Sequence, residues 1–132
     1  MTESEHQIAL FKWAEYSKGK YPELELLHHI PNGGKRSALT ATILKREGVK
    51  AGVPDLFLPV ARGGYHGLYI EMKKEGGRLS KNQKRWIKEL IKQGYRAAVC
   101  FGFEPARKEL LNYLKTEKNN SLDIQETKNK LQ

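Results

Sequence analysis

The chain has 132 residues, 39% of them hydrophobic and 30% charged, which is enough for one domain with its own core. Its single cysteine, Cys100, excludes an intramolecular disulfide framework and any zinc site of the CxxC type. No secretory signal pattern and no apolar run of about 18 residues occurs, so we expect a protein of the reducing cytoplasm without a membrane span.

The charge of the chain is strongly basic and unevenly placed. Lysine and arginine number 24 against 15 aspartates and glutamates, a net charge of +9. Residues 116–132 contain three basic and three acidic residues, so the whole surplus lies in residues 1–115. A compact basic domain attracts polyanions, and nucleic acid is the first partner to consider. The alternative is that the charge serves only solubility.

The hydrophobic pattern predicts alternating helices and strands. Helices are predicted over residues 4–17, 38–47, 81–93 and 105–115, and strands over 24–30, 55–60, 67–73 and 95–101. The second and third strands form a hairpin, and the helix after them serves as a crossover to a parallel fourth strand. That strand is apolar to its end and is predicted to be interior. The result is an α/β domain with a small mixed central sheet flanked by helices, followed by a polar tail over 116–132 that is either a short helix or disordered.

Two acidic residues lie where core residues are expected. Asp55 opens one apolar strand and Glu71 closes the next, and Lys73 follows two residues later. Because side chains in a strand alternate between faces, Glu71 and Lys73 project from the same face. A charged group at the end of a core strand needs a specific reason to be there.

Phosphodiester hydrolysis assisted by a divalent metal ion would supply that reason. Carboxylates from adjacent strands can hold Mg²⁺, and the backbone carbonyl of Met72 can add another oxygen. The metal polarises a scissile phosphate and lowers the pKa of a bound water, while an ammonium beside Glu71 orients that water or neutralises developing charge.

The hairpin register is a test of this hypothesis. A two-residue turn at Gly63-Gly64 with regular pairing places Asp55 opposite Met72, on the wrong face for Glu71. A shared metal site therefore requires an odd loop, a bulge, or an Asp55 that lies just before the regular strand.

Several motifs resemble a known nuclease family. Pro54-Asp55 with Glu71-x-Lys73 resembles the PD-(D/E)XK superfamily. The flanking segments resemble the compact phage form of its virus-type replication-repair nuclease (VRR-NUC) family: Pro31-Asn32-Gly33-Gly34 with Arg36, Gly52-Val53, and Gly77-Arg78-Leu79-Ser80-x-x-Gln83 before Trp86. The resemblance implies a VRR-NUC nuclease domain over residues 1–115 with a restriction-endonuclease-like PD-(D/E)XK core.

The resemblance also implies an activity and further site residues. It implies an endodeoxyribonuclease dependent on Mg²⁺ or Mn²⁺, often specific for branched DNA such as four-way (Holliday) junctions, that works as a homodimer in the host-cell cytoplasm if encoded by a phage. An acidic residue of the first helix joins Asp55 and Glu71 at the metal. Glu5 matches it best and Glu3 is the competitor. Gln83 matches a glutamine that we expect to contact Lys73 or the phosphate.

A set of basic and polar residues is a candidate DNA-contacting surface. It comprises Asn32, Lys35, Arg36, Lys45, Lys50, Arg78 and Lys81. Two other interpretations stay open. His28, His29 and Asn32 suggest an HNH-type nuclease, although adjacent histidines of a strand point to opposite faces. A non-catalytic nucleic-acid-binding module on the same scaffold is the main alternative.

Overall fold

The computed structural model describes residues 1–31, 37–118 and 129–130. Within them the helices are α1 (Glu3–Ser17), a short 3₁₀ helix (Pro22–Leu26), α2 (Ala38–Arg46), α3 (Lys81–Lys92) and α4 (Phe103–Lys115). The strands are β1 (His28–His29), β2 (Leu56–Leu58), β3 (Leu68–Lys73) and β4 (Arg96–Phe101). The predicted α/β class with a mixed sheet is confirmed.

The segment before the sheet differs from the prediction. A strand over 24–30 was expected, but only His28–His29 is extended and the preceding residues form the 3₁₀ helix. Pro22 occupies the first turn of that helix, where its missing N–H costs nothing. Leu24 is buried against the core from this turn, so its apolar character marks a packing position rather than a strand.

The four strands form one sheet in the order β1-β2-β3-β4, with β1–β2 and β2–β3 antiparallel and β3–β4 parallel. The predicted crossover by α3 is therefore confirmed. The prediction that β4 is interior is wrong for the described strands, because it lies at the edge of the sheet. Its apolar residues are covered by helices instead, since α4 and α3 both contact β4.

The hairpin contains one additional residue on the β2 side. Leu56 pairs with Ile70 and Leu58 with Leu68, and nearer the turn Arg62 forms a backbone β-bridge with Tyr65. Three residues, 59–61, therefore stand opposite two, 66–67. The irregularity is a three-residue turn centred on Pro59, closed by the Val60 N–H donating to the Leu58 carbonyl at 2.9 Å. This turn changes the register by one residue relative to a regular hairpin.

The two faces of the sheet are covered unequally. Helices α1 and α4 pack on the face that carries Leu56, Leu58, Leu68, Ile70 and Met72 and form the hydrophobic core there. Helix α3 crosses the opposite face over β4. Tyr69, Glu71 and Lys73 alternate with the core residues of β3, so they project towards the α3 side.

The end of the described domain packs back on the hairpin. The Gly63 N–H donates to the Glu117 carbonyl at 2.8 Å, and the backbones of Lys118 and Arg62 form an isolated antiparallel β-bridge. The predicted tail over 116–132 otherwise lies outside the described residues, apart from a helical pair at 129–130. In the described part of the chain no helix is long and apolar enough to span a membrane.

Candidate active site

Asp55 and Glu71 lie together on one face of the sheet. In the observed register Leu56 faces Ile70, so the next pair outward is Asp55 with Glu71. Asp55 immediately precedes β2, and its Oδ2 accepts a hydrogen bond from the Met72 N–H at 2.8 Å. Of the alternatives that would allow a shared metal site, the structure shows an irregular hairpin with an additional residue and an Asp55 just before the regular strand.

The two carboxyl groups strongly perturb each other. Burial, followed by the negative charge of Asp55, raises the pKa of Glu71 from 4.5 to about 8, and Glu3 adds a smaller contribution. Burial likewise raises the pKa of Asp55. When one of them is protonated, a hydrogen bond joins the two carboxyls. One proton or one cation between the oxygens therefore stabilises the pair, as it does wherever two carboxylates share a site.

The oxygen atoms of this pair suit a hard divalent cation. Glu71 is only 2% exposed, and its Oε2 is a buried oxygen without a hydrogen-bond partner in the described chain. A buried acceptor without a hydrogen-bond partner destabilises the folded protein, and a proton or a cation bound to it removes that cost. Mg²⁺ and Mn²⁺ prefer carboxylate oxygen, so the residues present fit either ion.

Lys73 brings a positive charge to the same face. It lies two residues beyond Glu71 on β3 and is 8% exposed, although lysine is rarely buried. Its charge lowers the pKa of Glu71 and so partly opposes the effects of burial and of Asp55.

Gln83 is fixed by two hydrogen-bond partners. Its Oε1 accepts from the Ser80 N–H at 2.8 Å in a capping box at the start of α3, which leaves its Nε2 to donate to Glu71 Oε1 at 3.1 Å. The sequence prediction assigned this side chain to Lys73 or a phosphate. In the structure the amide contacts the Glu71 carboxylate, and the contact with a phosphate stays a prediction. Helix α3 thereby orients Glu71.

The first turn of α1 lies near these groups, and its two glutamates differ in their surroundings. Glu5 Oε1 accepts from the Thr2 N–H at 3.3 Å in a second capping box, and these bonds to Thr2 lower the pKa of Glu5. Glu3 instead raises the pKa of both Asp55 and Glu71. The charge of Glu3 therefore acts on the carboxylate pair, whereas the carboxylate of the predicted Glu5 is engaged by Thr2.

Two further groups border Asp55. The N–H and the C=O of one residue in an extended strand point to the same side, so the Met72 carbonyl points towards the side where its N–H meets Asp55. His29, which sequence reasoning did not include in the site, has its Nδ1 2.9 Å from the Asp55 carbonyl oxygen. The pairing of β1 with β2 brings His29 next to Asp55, and the hydrophobic pattern of the sequence did not predict that pairing.

The predicted DNA-contacting residues divide into two groups. Asn32, Lys35 and Arg36 lie outside the described residues. The other four residues are exposed. Lys45 lies on α2, Lys50 in the segment after α2, Arg78 before α3 and Lys81 at the first residue of α3. Across the described ranges, no three His, Cys, Asp or Glu side chains are already arranged as a metal-binding group. The described core of the site is therefore a carboxylate pair.

Comparisons with known proteins identify the family of the chain. The family model of the VRR-NUC domain matches residues 1–104. A solved structure titled "VRR_NUC domain protein" is 38% identical, with a TM-score of 0.78, and the match covers 89% of this chain and 92% of that chain. No curated protein matched the sequence. The chain belongs to the VRR-NUC family of nuclease-type domains.

Proposed function

We propose that this protein is an endodeoxyribonuclease that depends on Mg²⁺ or Mn²⁺. The observation that carries the proposal is the pairing of the buried Glu71 with the half-buried Asp55, with an unsatisfied Glu71 oxygen and a lysine on the same face. Two carboxylates held close together away from water destabilise a fold, so their presence points to a functional site. The net charge of +9 provides the attraction to DNA.

The residues have separate roles in this proposal. Asp55, Glu71 and the Met72 carbonyl hold the ion, and Gln83 fixes the orientation of Glu71. When bound, the ion would polarise the scissile phosphate and make a water more acidic. Lys73 orients the attacking water and offsets negative charge that develops on the phosphate.

We further propose Glu3 as the third acidic ligand, and a pair of matched variants tests it. Glu3→Gln is expected to raise the Mg²⁺ concentration needed for half-maximal cleavage by ~10–100-fold, because it removes a carboxylate from the site. Glu5→Gln is expected to change it little, because glutamine can also serve in a capping box. Mg²⁺ titrations of the cleavage rate measure both. The reverse order of effects would assign the ligand to Glu5.

Gln83 provides a second separable prediction. Gln83→Glu keeps an acceptor for the Ser80 N–H but replaces the amide donor with a carboxylate next to Glu71. We expect cleavage to fall by ~10–100-fold while the melting temperature of the Mg²⁺-loaded protein changes little. Ser80→Ala is the control, since it costs ~1 kcal/mol of helix capping but keeps the backbone N–H that holds Gln83. Equal loss of activity in both variants would mean that Gln83 acts only as a cap.

We propose branched DNA, including four-way junctions, as the substrate and a homodimer as the active form, because paired cuts need two sites. One observation supports a dimer. Leu39 and Ile43 of α2 are 73% and 46% exposed and lie four residues apart on one side of the helix. Leu39→Asp is expected to shift the protein towards monomer in sedimentation velocity, whereas Tyr16→Asp, at a 93% exposed aromatic residue of α1, is the control. An unchanged sedimentation coefficient for Leu39→Asp would remove α2 from the interface.

A cleavage panel tests the proposed function directly. Linear duplex, flapped and four-way DNA are incubated with the protein in Mg²⁺, Mn²⁺ or EDTA. We expect metal-dependent cuts, with the four-way junction cleaved fastest. If every substrate stays intact in both metals while DNA is still bound, the protein is a non-catalytic nucleic-acid-binding module.

A further inference from the structure

A cavity of about 540 Å³ lies between α2, the segment that follows it, and α3. Its volume is in the usual range of ~300–1,000 Å³ for ligand pockets. The side chains that decide its chemistry are Ala41, Leu44, Lys45, Lys50, Arg85 and Trp86. The cavity thus combines three cations, an indole and an aliphatic wall.

The cavity is held beside the carboxylate site by close backbone packing. Gly52 has a φ of +97°, and a Cβ there would lie 2.7 Å from the carbonyl carbon of Asn82. The segment after α2 is therefore pressed against the first turn of α3, which only glycine permits. Asn82 also lines the cavity and directly precedes Gln83, the partner of Glu71. A ligand in the cavity therefore contacts the same first turn of α3 that supplies Gln83 to the proposed cleavage site.

The cations of the cavity suit an anion. Within the described parts of the chain, Lys45, Lys50 and Arg85 form no ion pair with an acidic side chain. Three like charges around one concavity repel each other unless an anion lies between them. Glu47 is nearby, since it lines the adjoining cavity together with Lys50.

Trp86 gives the cavity a flat apolar surface. The indole is half-buried and also lines the adjoining cavity of about 450 Å³, so it stands between the two. Opposite it are Ala41 and Leu44, on the side of α2 away from Leu39 and Ile43. Nucleobases stack on such surfaces without regard to sequence.

We propose that this cavity binds one unpaired nucleotide of the DNA, with its phosphate at Lys45, Lys50 and Arg85 and its base against Trp86. A paired base is stacked on both faces inside the duplex and cannot enter a concave site, so the bound nucleotide must be extruded or single-stranded. The inference rests on the proposed nuclease function and deepens it. Substrates with an unpaired nucleotide beside the cut are then the preferred ones.

Binding can be measured without cleavage. The chain has two tryptophans, so Trp13→Phe leaves Trp86 as the only indole. In EDTA, a (dT)₅ oligonucleotide is expected to quench Trp86 fluorescence and to bind ~5–100-fold tighter than an abasic oligonucleotide with the same number of phosphates. Equal affinity of the two, or no quenching, would overturn the proposal. Thymidine monophosphate that binds as tightly as (dT)₅ would also overturn it, by identifying a free-nucleotide site.

Charge variants test the phosphate side of the cavity. Arg85→Ala and Lys45→Ala are expected to weaken (dT)₅ and the abasic oligonucleotide equally and to make the salt dependence shallower. Lys88→Ala, on the same helix but outside the cavity lining, is the matched control. Equal effects of Arg85→Ala and Lys88→Ala would reduce the cavity to part of a diffuse basic surface and overturn the proposal.

The two proposals fail in different ways. Quenching of Trp86 by (dT)₅ without metal-dependent cleavage of any DNA would disprove the nuclease and support the nucleotide site. Cleavage without quenching would disprove the nucleotide site alone. Where both hold, Trp86→Leu should lower cleavage of a substrate with an unpaired nucleotide at the cut more than cleavage of fully paired duplex.

Discussion

Replacing Glu71 with glutamine is expected to reduce DNA cleavage by more than ~100-fold while DNA binding stays at wild-type strength or increases. The glutamine keeps an oxygen that can accept from Gln83, and its NH₂ group can donate to the Asp55 carboxylate. The fold therefore keeps its contacts, but the site loses half of its anionic pair. In EDTA near neutral pH, Glu71 with its pKa of about 8 is mostly protonated, so glutamine replaces a neutral group and DNA binding stays close to wild type. Above about pH 8 the substitution removes a negative charge close to the phosphate, which favours DNA binding.

Cleavage rates at saturating Mg²⁺ and binding by fluorescence anisotropy in EDTA measure the two effects separately. Glu25→Gln is the matched control, because it removes one exposed carboxylate far from the site along the chain. Loss of cleavage in Glu71→Gln together with an equal loss of binding would indicate a damaged fold. Cleavage close to the wild-type rate would refute the metal-site assignment.

The elements of the fold were predictable where the sequence signals are local. Thr2, Ser37 and Ser80 each cap a helix, and the apolar stripes that follow identify the helices that they begin. The segment over 24–30 was mispredicted because an apolar run does not distinguish a strand from a short buried helix, and Pro22 was the signal for the latter. The edge position of β4 depends on tertiary packing that no local pattern reports.

The sequence pattern singled out the two carboxylates that the structure pairs, but it did not determine their geometry. The shared face of Asp55 and Glu71 depends on the turn at Pro59, and this proline after a strand was a readable sign of an irregular hairpin. The choice between Glu3 and Glu5 was not readable, since both are acidic residues in a first helical turn. The capping-box bonds of Glu5 and the effect of Glu3 on the carboxylate pair support the proposal of Glu3, and both depend on the folded structure.

The electrostatics of the site connect function with stability. The proposed cation between Asp55 and Glu71 would satisfy the buried Glu71 oxygen that lacks a hydrogen-bond partner in the described chain and would offset the repulsion between the two carboxylates. Without it, the pair must be protonated or remain unfavourable, as expected where a site is organised for a ligand rather than for the fold. The stability of the metal-free protein should therefore depend on the protonation of this carboxylate pair.

Without metal, the protein is expected to lose thermal stability as the pH rises from about 5 to about 8, because of Glu71. Its pKa in the folded protein is raised to about 8 from 4.5, while in the unfolded chain it ionises near the ordinary value. Unfolding therefore releases a proton across this interval, so the stabilisation is complete below the unfolded pKa and is lost as the pH rises. The raised pKa of Asp55 acts in the same direction.

The release of one proton lowers the free energy of unfolding by at most about 1.4 kcal/mol per pH unit. We expect Tm to fall by roughly 5–10 °C over this pH interval for a domain of this size. Thermal unfolding by circular dichroism in EDTA measures it. Glu71→Gln should flatten the pH profile and melt above the wild type at pH about 8, whereas Glu25→Gln should follow the wild type. Added Mg²⁺ should raise the Tm of the wild type far more than that of Glu71→Gln, because an ion that binds only the folded form stabilises it. Identical pH profiles for the wild type and Glu71→Gln would show that the buried pair carries no such cost.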